Sequence, residues 1–196
     1  MAKSKSKNKL IGLIIGLLAL VFVALATVSV FFNAFKIKEL RNEVKITEAR
    51  FVVGSLKDEE SLQKDLEEAI ASGNEKKSEA LTKNTLAYTL SQYNDTTQAA
   101  SVVVVITFFG TLIFGVFAIL AAILNIFGKG RILGIALSVL TAVCGLVGLI
   151  CSSSIVGEFT TGVSMGCATI LTFVFALVAT GLQLTNMFVF KKKKRA

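Results

Sequence analysis

The sequence predicts an all-α membrane protein: a four-helix transmembrane bundle with a small helical extracellular cap between spans 1 and 2. Three observations predict it. The 196 residues are 54% apolar and 17% charged, against roughly 25% charged in an ordinary soluble domain. The charges are clustered, in residues 3–9, 36–95, 129–131, at Glu158 and in 191–195. Between them lie four charge-free runs, residues 10–35, 96–128, 132–157 and 159–190. A soluble globular domain cannot be built from such a chain.

A membrane helix needs roughly 20 mostly apolar residues to cross about 30 Å of hydrocarbon. The shortest run holds 26 residues, so each can span. Lipid offers no partner to backbone groups, which makes every run helical despite β-branched stretches such as Val102–Val105. The expected order is a basic tail (1–9), span 1 (10–34), an outer loop (35–99), span 2 (100–126) and an inner turn (127–131). Span 3 (132–151), a short outer loop (152–165), span 4 (166–189) and a second basic tail (190–196) complete it. Span 1 is too long for the 7–15-residue core of a signal peptide, and it ends on Phe31, Phe32 and Phe35 rather than on small residues.

Four spans put both termini and the 127–131 turn on one side. That side carries Lys3, Lys5, Lys7, Lys9, Lys129, Arg131 and the run 191–195, and no acid. Cationic short segments stay in the cytoplasm, so both termini are expected there, in a plasma or bacterial inner membrane. The same cations suit an anionic leaflet. The tails lack the interleaved aromatics and folded reader that nucleic-acid binding needs. The expected partners are therefore the lipid bilayer and a membrane protein or second copy, with no nucleic acid.

The outer loop reads as helical. Ile37, Leu40, Val44 and Phe51 suggest that the first helix continues to about residue 53, with Gly54 as a left-handed cap. Ser55 and Asp58 open a second helix, whose stripe of Leu62, Leu66, Ala69 and Ile70 closes at Gly73-Asn74. A third helix, about 75–92, offers Leu81, Leu86, Ala87, Leu90 and, towards its end, Tyr88 and Tyr93. Leu62, Leu66, Ile70, Tyr88 and Tyr93 are the candidate partner face; the competing reading buries these stripes among the helices themselves. Asn94-Asp95-Thr96 is a formal glycosylation sequon.

Catalytic and metal chemistry find little here. The chain has no His, and its acids lie in ordinary surface patterns rather than in ligand spacing. Gly128-Lys129-Gly130 follows no strand and makes no phosphate loop. No Ser or Cys has a base near it in sequence, and no ionisable residue lies within the spans to carry ions or protons. The sequence implies no catalytic residue, no cofactor and no metal. Asn33, Asn125, Gln183 and Asn186 are the strongest polar groups, all towards span ends. Of the cysteines, Cys144 reads as a small packing residue, while Cys151 and Cys167 flank the short outer loop, where a disulfide is one reading.

Helices in lipid associate by close approach across small residues. Gly12 and Gly16 form a GxxxG, and Gly110, Gly115, Gly134, Gly145, Gly148 and Gly166 extend the pattern. These glycines serve either packing within one chain or contacts with another. The short turn makes spans 2 and 3 antiparallel neighbours.

With inner termini, a long first outer loop, a tight inner turn and a short second outer loop, the chain resembles claudin-like and MARVEL-type tetraspans in topology. The claudin signature of Trp and a first-loop Cys pair is missing, so no claudin site carries over. The stretch Phe127-Gly128-Lys129-Gly130-Arg131-Ile132-Leu133-Gly134-Ile135 is similar to four-span proteins of Gram-positive bacteria, a likeness that implies a fold and no activity. The resulting expectation is a non-enzymatic scaffold or accessory subunit that works by lateral helix association, with the cap binding a partner. An oligomeric channel or transporter subunit is the alternative, and an extracellular-ligand sensor or immunity-type protein the next.

Overall fold

The computed structural model describes residues 2–39, 42–127 and 129–191. In chain order they form α1 (Ala2–Ser29), β1 (Asn33–Glu39), β2 (Asn42–Thr47), α2 (Glu48–Ser55), α3 (Glu59–Ala71) and α4 (Glu75–Ser91). There follow α5 (Asp95–Ile126), α6 (Arg131–Gly157), β3 (Val163–Met165) and α7 (Ala168–Lys191). The protein is mostly helical and membrane-embedded. Four helices are long and apolar enough to cross a bilayer: Leu10–Ser29 of α1, all of α5 and α6, and Ala168–Phe188 of α7. The side chains of both basic tails lie outside the described residues.

The chain divides into two units. The first comprises the residues up to Ser29, Phe109–Leu146 and those from Leu171 on, and among its described residues the regular structure is helical. Its interior is built from small side chains. Val23, Ala118 and Ala179 form one buried cluster and Ala26, Ala142 and Ala176 another, joining α1 and α7 to α5 in the first and to α6 in the second. Glycines set the closest approaches. A Cβ at Gly145 would stand 2.9 Å from the Phe173 nitrogen, and one at Gly110 would stand 2.9 Å from the Cys144 Sγ. A Cβ at Gly115 would collide with the Thr27 side chain. The large apolar residues, among them Leu17, Val21, Ile113, Phe117, Leu140 and Leu177, are exposed. That distribution fits lipid as solvent, where burying bulk brings no hydrophobic gain and close packing does the holding.

The second unit, Val30–Phe108 with Val147–Ile170, contains the sheet. Its strand order is β2-β1-β3, with both pairings antiparallel. Phe35 faces Ile46 and Met165, while Ile37 faces Val44 and Val163. The expected helix through residues 37–53 is therefore replaced by a hairpin and the short helix α2. The cause is a period of two: Phe35, Ile37 and Ile46 are buried, whereas Lys38, Glu43 and Lys45 are exposed, and alternation of that kind suits a half-buried strand. The 37-40-44-51 spacing was a coincidence of two apolar strand faces, and Leu40 lies outside the described residues.

The core of this unit is conventional. Phe35 and Phe51 meet with ring centroids 4.7 Å apart, and Ile46, Leu90, Val104 and Ile155 pack around them. Gly54 is not a left-handed cap. It lies within α2, where a Cβ would stand 2.5 Å from the Asn84 carbonyl oxygen of α4. Asp58 caps α3 by accepting from the Ser61 N–H at 2.7 Å, and Asn74 caps α4 by accepting from the Lys77 N–H at 3.1 Å. Gly73 supplies the left-handed turn between them, with φ of 67°.

Candidate functional site

Helices α3 and α4 turn their apolar stripes towards each other. Leu62 and Ala69 of α3 and Leu81, Ala87 and Leu90 of α4 are buried. Between the two helices lies a groove of about 240 Å³, with Leu62, Gln63, Thr85, Tyr88, Gln92 and Tyr93 among its walls. Tyr93 is more than half exposed, and its ring packs at a tilt against Phe159, with centroids 4.5 Å apart. The Phe159 ring comes from the turn after α6, so the loop between spans 3 and 4 props one wall of the groove. Asn94 ties the same corner down. Its Nδ2 donates to Glu158 Oε2 at 2.7 Å while its Oδ1 accepts from the Thr97 N–H at 2.8 Å. The nitrogen that a sequon would offer to a glycan is thus already engaged.

Of the candidate partner face, Leu62, Tyr88 and Tyr93 meet in this groove, whereas Leu66 and Ile70 do not line it. Leu62 is fully buried and forms the floor, Leu66 is half-buried, and Ile70 is exposed. The glycines are spent inside the chain: Gly16 approaches Ile126 and Asn186, Gly134 approaches Gln183, and Gly148 approaches Thr107 and Thr169. Gly12 is buried. Gly166 precedes α7 rather than packing within a span. Its N–H donates to the Ala34 carbonyl at 2.6 Å, and a Cβ there would collide with the Asn33 carbonyl oxygen. Cys144, Cys151 and Cys167 are free thiols, so the Cys151–Cys167 bridge is not formed. Helix α6 continues six residues beyond Cys151, about 9 Å of rise, which removes that cysteine from the loop the bridge would have closed.

Two polar features acquire a setting in the structure, the first among span amides that the sequence had singled out and the second unread there. Gln183 and Asn186, one turn apart on α7, are fully buried. The Gln183 Nε2 donates to Ser138 Oγ at 3.0 Å, while its Oε1, both polar atoms of Asn186 and the Asn125 Oδ1 have no partner. Their i, i+3 spacing was the signal available in the sequence; the glycines they face, Gly134 and Gly16, lie on other helices. The second is Glu48, in the first turn of α2. It is 4% exposed, its Oε2 lacks a partner, and burial pushes its carboxyl up to about 8. Nothing in its sequence neighbourhood separates it from the exposed acids around it.

Among the described residues, no group of three or more metal-ligating side chains forms. No protein-family model, curated protein or solved structure matches the chain.

Proposed function

We propose that the chain is a non-enzymatic integral membrane protein, a scaffold or accessory subunit whose inter-span domain is an extracellular recognition module on a four-helix bundle. The carrying observation is the α3/α4 groove, a recess with two tyrosines and neutral hydrogen-bonding groups at its walls. Its chemistry suits recognition more than turnover: the acid in its lining, Glu59, has no base or nucleophile beside it there. The positively charged tails and turn keep both termini in the cytoplasm on this reading, which turns the domain outward. Because the span glycines already meet neighbours in their own chain, the inter-span domain, more than the span faces, is the natural place for a partner.

Photo-crosslinking residues placed at Ile70, at Tyr93 and at the lipid-facing Leu177 test the reading in native membranes. A single stoichiometric adduct from the domain positions, with none from Leu177, is the expected result. Adducts from Leu177 alone would relocate the partner to the spans. The runner-up, an oligomeric channel or transporter subunit, draws on the buried amide atoms without a partner: Asn125 Oδ1, Gln183 Oε1 and both polar atoms of Asn186. Reproducible unitary currents from a discrete oligomer would favour it.

A further inference from the structure

Two grooves of the inter-span unit meet at one side chain. Gln92 lines both the tyrosine groove and a neighbouring one of about 210 Å³, shared with Leu56, Gln98, Ser101, Val102, Val105 and Ile106. Along α5 this lining changes character within two turns. Gln98 is polar, and its Nε2 donates to Gln92 Oε1 at 2.8 Å. Ser101 is 3% exposed, and its hydroxyl has no partner. Val102 and Ile106 follow, both more than half exposed. The same exposed stripe continues along the helix through Phe109, Ile113, Val116 and Leu120. An apolar stripe at this 3–4 spacing on a membrane-crossing helix is covered by acyl chains. The second groove therefore lies where the span passes from polar surroundings into hydrocarbon.

The walls of the tyrosine groove select the polar end of an occupant. They offer aromatic rings, amides and hydroxyls, with Glu59 the charged residue in its lining and no Lys or Arg in either groove. Phosphate recognition draws on Arg or Lys. A sugar ring instead presents C–H faces that pack on aromatic rings, and hydroxyls that pair with amides and hydroxyls. We propose that the two grooves form one site for a glycolipid. Its uncharged sugar lies against Tyr88 and Tyr93, its linkage region near Gln98 and Ser101, and an acyl chain along Val102, Val105 and Ile106. The assignment rests on the inter-span domain being a recognition module, and not on a protein partner.

The test uses the full chain in phosphatidylcholine nanodiscs doped with a monoglucosyl diacylglycerol that carries a photoreactive acyl chain. The same label on phosphatidylcholine and on phosphatidylglycerol provides the comparison. The glucosyl lipid is expected to label residues 102–106 about tenfold more than either phospholipid, the effect of one well-placed aromatic contact. Unlabelled glucosyl lipid should dilute that signal in the unaltered protein. Tyr88→Ala and Val105→Trp should each bring labelling down to the phospholipid level with helicity unchanged, whereas Tyr88→Phe should keep most of it. Equal labelling by all three lipids, or labelling indifferent to competitor and variants, overturns the glycolipid site. A protein adduct from Tyr93 in that event would leave the recognition module standing with a different ligand.

Discussion

The helical unit and the sheet-containing unit bury opposite kinds of residue. The first hides Ala, Gly, Thr, Asn and Gln and displays Leu, Ile, Val and Phe; the second hides Phe35, Ile46, Phe51 and Leu62, and its segment from β1 to α4 displays Lys and Glu. One chain follows two rules because it meets two solvents. In water the larger apolar side chain gains more by burial. In acyl chains that gain disappears, and backbone proximity across glycine takes its place. Glu48, the buried acid beside the sheet, and the partly unsatisfied amides of the helical unit are the places where each rule is broken, and they are where the contrast can be pressed.

The largest expected effect comes from Phe51→Ala. Emptying the ring contact with Phe35 should cost about 3–5 kcal/mol. Limited proteolysis should then cut between residues 48 and 94 while the spans stay protected; spans that also become cleavable would mean that the two packing rules are not separable. Glu48 comes next. Its folded value of about 8 stands above the ordinary 4.5, so between those pH values the folded chain keeps a proton that the unfolded chain has released. Stability should therefore fall as pH rises through that window, at up to about 1.4 kcal/mol per pH unit, and level off above it. Thermal melts of Glu48→Gln from pH 5 to 8.5 should lose this slope, and an unchanged slope would assign it to other groups. The smallest effect belongs to Asn186→Leu. Removing two buried, unpaired polar atoms should leave stability unchanged or raise it by about 1 kcal/mol, read by melting in nanodiscs. A marked loss would mean that the amide is satisfied in the membrane.

The spans were legible because a bilayer imposes a length and excludes charge, and both constraints are written in consecutive residues. Helix α6 overran its expected end because Ser152–Ser154 and Gly157 neither break a helix nor carry charge. The hairpin was hidden for a different reason. Its pairing of Phe35 with Ile46 and Met165 depends on residues up to 130 positions apart, and local spacing at 37, 40, 44 and 51 imitated a helix. Tyr88, Tyr93 and Leu62 could be picked out as apolar or aromatic members of helical stripes. That they would share a recess with Gln92 depended on the turn at Gly73 and on Phe159, which no single segment reveals.

Strand β3 has a further consequence. Val163 and Met165 pair with Ile37 and Phe35, so the first sheet residues to leave the ribosome wait for nearly the last before their neighbour exists. During synthesis β1 must therefore wait with one side bare until β3 has been made, a state that invites a chaperone or a foreign strand. A nascent chain stalled before residue 160 should show that vulnerability, and one stalled after the fourth span has emerged should have lost it.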